Sequence, residues 1–461
     1  MNHTNVLRIR KSRLFLLASV VAYVAVFNVT YEMFVAPTYI SWGLSYRPLP
    51  FAYTVGSWVL CLLPALWLPL VPRRPSQLLF YIQYFVLYIP AVFVIYHSSR
   101  PELPVADAFL LSVLMFAGLS VIQFIYYVPL AKVEYKRLPP SYFWCFFLLL
   151  STFLIGYTLA LLGHNFRLAN LEEIYDVRSA AAEIVEQTGS RLGFYAQTWL
   201  AGFVLPFCFA AGAFARRWWI VAVAGAGYLL LFGIGGSKTT LFSFIFLPLV
   251  YLWVRRMNRY SSSWFAWGLL FLLLGGPLLN VAGLRGLAYW YIAVVNFRTF
   301  SVPALAIAQY YEFFQQNPYT YMSHVKGFSL LVPFPYEGDL PQIIGQYFYG
   351  APVGLNAGLW AGDGLTAFGP MGIIVVSAIC AAIFWVFDSV CSRYDPRFVM
   401  VAMAFIATSF ANVSLFTTIL SGGFAFLVVA LIVLPKRGVL QCALKLPMSA
   451  EVILPYRPGN R

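Results

Sequence analysis

Apolar runs of about 20 residues, the length that crosses a bilayer, alternate along most of this chain with short polar turns. They fall at roughly 14–36, 52–71, 78–96, 105–130, 141–163, 192–215, 218–235, 239–254, 263–283, 365–390, 398–412 and 415–434. The pattern predicts a single polytopic domain over residues 1–461, an all-α integral membrane protein of about twelve spans. The short pair at the end and the glycines around Gly235 are where a span is most easily split.

Two intervals break the staircase. Residues 164–191 carry Leu171, Ile174, Val177, Ala181, Ile184 and Val185 at helical spacing under a charged face, which predicts an amphipathic helix capping the bundle. Residues 285–364 gather Arg285, Arg298, His324, Lys326, Glu337, Asp339 and Asp363, with Pro318, Pro333, Pro335, Pro341 and Pro352 cutting the stretch into short pieces. A span over 286–311 would bury Arg298 in mid-bilayer at a cost of about 2.5 kcal/mol or more. That piece therefore reads as interfacial or re-entrant, within one long loop between the ninth and tenth spans.

The basic residues fix the sidedness, because Lys and Arg near span ends collect on the cytoplasmic side. With the N-terminus inside, 21 of 30 fall on cytoplasmic turns and both termini are cytoplasmic. The outer face then carries 9 cations against 12 carboxylates, a net of −3. Composition agrees: 61% hydrophobic and 10% charged residues exclude a water-soluble domain. The net charge of +14 belongs to the turns that orient the helices, so no nucleic-acid partner is expected, and the lipid bilayer is.

The N-terminal apolar run is too long for a signal-peptide core and reads as the first span. The six cysteines fall in spans or on cytoplasmic turns and predict neither a disulfide nor a zinc site. Glu337 and Asp339 are two carboxylates without a third ligand, so no metal is predicted, nor any cofactor. The segment GIGGSKTT at 233–240 lacks the Gly-Lys pair and the strand of a nucleotide loop. It leaves Lys238 at the outer start of a span, where a cation and free N–H groups suit an anion.

Several of these elements together resemble the Wzy-type polymerases, which extend O-antigen and related bacterial surface polysaccharides. The resemblance rests on GGSKTT before a span, NFRTFS at 296–301 with the amphipathic run after it, HVKG, the Pro-rich VPFP, and Asn356, Gly358, Gly362 and Asp363 leading into AFGPMG at 367–372. It covers about a third of the chain, and Lys238 stands where Arg is common in the family. It implies a GT-C-like helical architecture in the bacterial inner membrane. It also implies a glycosyltransferase working at the periplasmic face on undecaprenyl-pyrophosphate-linked glycans, with a chain-length regulator as a partner. Arg285, Arg298 and Lys238 would then meet the departing pyrophosphate. His324, Glu337 and Asp339 would be the candidate bases for the acceptor hydroxyl. Tyr336, Trp360 and Asn356 would contact the glycan.

Rival functions are an O-antigen ligase, which shares the donor and differs in acceptor, and a flippase or other transporter, which would place charges inside the spans. A transferase using lipid-phosphate sugars would want an acidic pair in the first outer loop, and Thr38 to Pro50 contains no Asp or Glu.

Overall fold

The computed structural model describes residues 3–133, 138–167, 173–189, 191–325, 327–356 and 358–435. Lys136, Arg137, Lys326 and the basic C-terminal tail from Lys436 onward, with the expected cytoplasmic C-terminus, lie outside the described residues.

Backbone N–H and C=O groups in lipid must be satisfied within the chain, and the apolar runs accordingly fold as helices; no strand occurs among the described residues. Ten helices there are long and apolar enough to cross a membrane. In chain order the helices are α1 (Ile9–Thr38), the shorter α2 (Phe51–Leu66), α3 (Gln77–His97), α4 (Val105–Tyr127) and α5 (Pro140–Asn165). The amphipathic α6 (Ile174–Gln187) follows. Next come α7 (Leu192–Phe214), α8 (Trp218–Gly235), α9 (Lys238–Arg255), α10 (Ser261–Val281) and α11 (Arg285–Gln316). Then α12 (Leu340–Tyr349) and α13 (Leu359–Phe368) precede α14 (Gly372–Cys391). Four short helices complete the described residues: α15 (Pro396–Ala402), α16 (Ala404–Ser409), α17 (Leu415–Leu420) and α18 (Phe424–Val433).

The bundle is built around α3, which is buried along its whole length. Its tyrosine hydroxyls find carbonyls on neighbours: Tyr84 donates to Cys61 O at 2.6 Å and Tyr88 to Leu60 O at 3.0 Å, while Tyr23 of α1 donates to Phe85 O at 2.6 Å. Outward faces are apolar, as Phe146, Leu149 and Phe153 of α5 illustrate, which is what lipid requires. The helix expected in 164–191 is α6; its Val177 and Ala181 are buried, the latter against Leu162 and Ile234.

Contacts between span termini define two ends of the bundle. At the first, Arg13 donates to Ala65 O and Leu68 O, Ser262 to Pro69 O, Ser76 to Asp388 and Arg74 to Val128 O. Arg216, Arg217, Arg255, Arg393 and Arg397 lie on turns and helix ends at this arginine-rich end. At the opposite end Tyr31 donates to Ser45 O, Ser45 to His97 O, and Arg47 pairs with Glu102 at 2.7 Å.

Three expectations change. First, 285–364 is not a loop but largely helix, beginning with the 32-residue α11. Pro303 does not interrupt α11 because it sits in the first turn after a π-helical stretch (Ala293–Ser301), where no N–H is needed. By length and composition α11 could cross a bilayer. Yet Leu284, just before it, is tied to Leu279 at the far end of α10; Phe297 stacks on Tyr39 at 3.9 Å; Gln309 donates to Arg100 O; and Tyr347 donates to Gln316. Both ends of α11 therefore sit at the end opposite the arginine-rich one, and Arg298 is exposed. Second, the run at 52–71 yields only the short α2, stopped in a stretch with Pro64 and Pro69. Third, the last two expected spans are broken helices. Met403 leaves helical geometry between α15 and α16, and Gly422 and Gly423, packed backbone to backbone on Gly202, interrupt 415–434.

Candidate functional site

The end of the bundle opposite the arginine-rich one holds a His–Asp pair, Asp363 buried and His324 partly so. Its assembly starts with Thr320, whose N–H donates to Thr366 O at 2.9 Å while Tyr321 N–H donates to Ala367 O at 3.1 Å, so the chain after α11 is laid against the end of α13. Tyr321 and Met322 then take left-handed conformations, φ 46° and 71°. Such geometry is costly for side chains of this size and collects at functional sites. It turns the chain sharply and delivers His324 back over Thr320.

The hydrogen-bond pattern assigns the imidazole tautomer. The Thr320 hydroxyl has one proton, and it lies 3.0 Å from Thr366 O, which can only accept. With that proton committed, the 2.7 Å contact between Thr320 Oγ1 and His324 Nδ1 requires Nδ1 to carry the hydrogen. In that tautomer the lone pair lies on Nε2, a buried atom without a hydrogen-bond partner in the protein. Asp363 Oδ1 stands 3.8 Å from it, too far for a hydrogen bond and close enough to stabilise a proton arriving there. The other oxygen, Oδ2, accepts from the N–H of Leu415 at 2.7 Å, so the carboxylate also anchors the first turn of α17. The arrangement is a proton acceptor at Nε2, oriented by Thr320 and backed by a fixed carboxylate.

The other expected site residues separate into groups. Glu337 and Asp339 are exposed, Asp339 standing at the start of α12, where its carbonyl accepts from Gln342 and Ile343. The structure thus pairs His324 with Asp363, and neither surface carboxylate joins them. Tyr336 donates to Pro318 O at 2.5 Å and packs on Phe313 and Phe314; burial pushes its phenol up to about 12, so it remains a donor. Its visible role is to hold the segment leading to Thr320. Trp360 is fully buried, its ring over Gly118 of α4 with no face left for a sugar. Asn356 is exposed. Lys238 is half-buried at the first position of α9, after Gly236 with φ 59°. Arg285 and Arg298 are both exposed. They are 298 − 285 = 13 residues apart on one helix, a separation of about 20 Å at 1.5 Å per residue. The structure does not bring them together as one pyrophosphate clamp.

Asp363 is the residue that sequence reasoning did not place in the site. The available signal was an acid within the apolar stretch LWAGDGLTAF, since carboxylates in such settings face a partner or a function. No group of three or more His, Cys, Asp or Glu side chains that could hold a metal ion occurs among the described residues. No protein-family model, curated protein or solved structure matches this chain.

Proposed function

We propose that the protein is a membrane glycosyltransferase that joins lipid-pyrophosphate-linked oligosaccharide repeat units into a bacterial surface polysaccharide at the periplasmic face. The observation that carries this reading is the His324–Asp363 pair, with its unpartnered Nε2, at the end of the bundle opposite the arginine-rich one. Under the positive-inside rule that end faces the periplasm, where lipid-linked donors are consumed without nucleotide sugars.

In this mechanism a hydroxyl of the incoming repeat unit gives its proton to His324 Nε2 as its oxygen attacks the anomeric carbon of the growing chain. Asp363 stabilises the imidazolium that forms. The bond to the lipid pyrophosphate breaks, and the pyrophosphate leaves with the electron pair. Arg298, exposed on α11 at the same end, is the cation proposed to meet that charge, with Lys238 of α9 as a second anion contact. Arg285, about 20 Å along the helix, is left as an interface anchor. A chain-length regulator and the O-antigen type of product belong to the same proposal, as do inner-membrane residence and cytoplasmic termini.

Purified protein given one defined lipid-linked repeat unit should produce a polymer ladder. Transfer to a lipid A acceptor in place of the ladder would identify a ligase. His324→Ala should lower the rate by about 10² to 10⁴, the contribution of a positioned proton acceptor; an unchanged ladder would remove His324 from the chemistry.

A further inference from the structure

Beyond the His324 turn the chain forms an apolar tip. Gly327, at φ 101°, reverses direction, and a single tight turn over Phe328–Leu330 follows, closed by the N–H groups of Leu331 and Val332 on Phe328 O. Leu330 and Leu331 are 89% and 79% exposed, among the most exposed large apolar side chains of the described residues, and Phe328 beside them is also exposed. From Phe328 to Tyr336 the sequence FSLLVPFPY carries no charge. Two leucines held outward on a built turn cost free energy in water, so something apolar covers them.

We infer that this tip, Phe328 to Leu331, inserts into the outer leaflet of the membrane. Its base argues for lipid: Met322 and Val325 pack on Ala367 of α13, and α13 leads directly into α14, whose first residue is Gly372. At that junction Phe368 and Met371 are themselves exposed, the latter at 64%. The base of the tip therefore sits at the apolar mouth of a membrane-crossing helix. The chemistry points the same way, because leucine inserts favourably into bilayers, whereas protein-binding hot spots favour Trp, Tyr and Arg. One consequence is that His324, six residues before Leu330, lies on the chain just ahead of the inserted tip. A substrate carried on a lipid reaches it by moving within the membrane. The insertion stands whether or not the chemistry at His324 is glycosyl transfer.

The test uses full-length protein in phosphatidylethanolamine–phosphatidylglycerol liposomes, in a Cys145→Ser, Cys442→Ser background. A nitroxide is attached in turn to Leu330→Cys, Leu331→Cys and, as the aqueous reference, Glu337→Cys. Collisions with lipid-soluble oxygen should exceed those with a water-soluble nickel chelate at the two leucine positions, and the order should invert at 337. Nickel collisions dominating at 330 and 331 would show a tip in water and overturn the inference. A label shielded from both reagents would also overturn it, placing another protein surface over the tip.

Discussion

Asp363 uses its two oxygens differently, and substitutions can separate the uses. Asp363→Asn keeps an acceptor for Leu415 N–H but loses the charge facing His324 Nε2. It should fold with near-normal thermal stability while transfer activity collapses. Asp363→Leu leaves the amide unsatisfied and should lose about 1–3 kcal/mol of stability as well, read as a lower unfolding midpoint in detergent. Equal stabilities for the two variants would show that the Leu415 contact contributes nothing. Arg298 has its own test, because lysine keeps the charge and loses the planar fork. If the guanidinium grips a phosphate group bidentately, Arg298→Lys should cost two charge-assisted bonds, about 2–4 kcal/mol or roughly 30- to 1000-fold in rate. Wild-type polymer from the Lys variant, at normal abundance in the membrane, would return Arg298 to the rank of an interface anchor. His324 was legible in the sequence as one of three outer candidates. Its partner was not, because 39 residues and a helix boundary separate them and only the fold of 320–324 against 366–367 closes the gap. Trp360 misled for the opposite reason: aromatic residues near an interface look alike in sequence, and only packing against Gly118 shows that this one is core.

At the scale of elements, hydropathy located nearly every long helix and failed where backbone geometry rather than composition decides. The polar turn expected between 398–412 and 415–434 is present, yet each run also breaks internally, at Met403 and at Gly422–Gly423. The second break exists because the turn nests on α7: a methyl group on Gly202 would lie 2.1 Å from Gly422 O, a backbone atom that cannot swing aside. Gly202→Ala should therefore push α7 away from the turn between α17 and α18 and destabilise the protein by about 1–3 kcal/mol, the usual cost of overpacking. Gly268, in open space on α10, is the matched control, and Gly268→Ala should leave the unfolding free energy within about 0.5 kcal/mol of wild type or raise it. Equal effects at the two positions would mean that α7 and the turn do not meet. For α11 the sequence argument from Arg298 located the polar interval but underestimated its order. A single arginine on the exposed side of a helix does not disrupt it, and a π-helical stretch before Pro303 allows the chain to continue.

For the whole molecule, the arrangement of ends makes a sidedness claim. Arg285 and Gln316, the termini of α11, are both exposed and both belong to the end opposite the arginine-rich one. In a cysteine-substituted background, Arg285→Cys and Gln316→Cys should react with a membrane-impermeant maleimide from the same side, the periplasmic one. Labelling from opposite sides would make α11 a true crossing and reverse the orientation of everything after it. The positive-inside pattern predicts the same sidedness from charge alone. What charge could not convey is that α11 folds back over the bundle, its Tyr291 and Asn296 reaching the Leu272 and Leu273 carbonyls of α10.

The shared carboxylate of Asp363 carries a further consequence. Because one rigid group faces His324 and holds the start of α17, the two are thermodynamically linked, and linkage is reciprocal. Anything that binds at His324 and draws on the carboxylate must alter how firmly α17 is fastened. Anything that disturbs the broken C-terminal hairpin must in turn be felt at the imidazole by the same free energy. The short helices α15 to α18, which contribute no side chain to the proton acceptor, thereby become a lever on it.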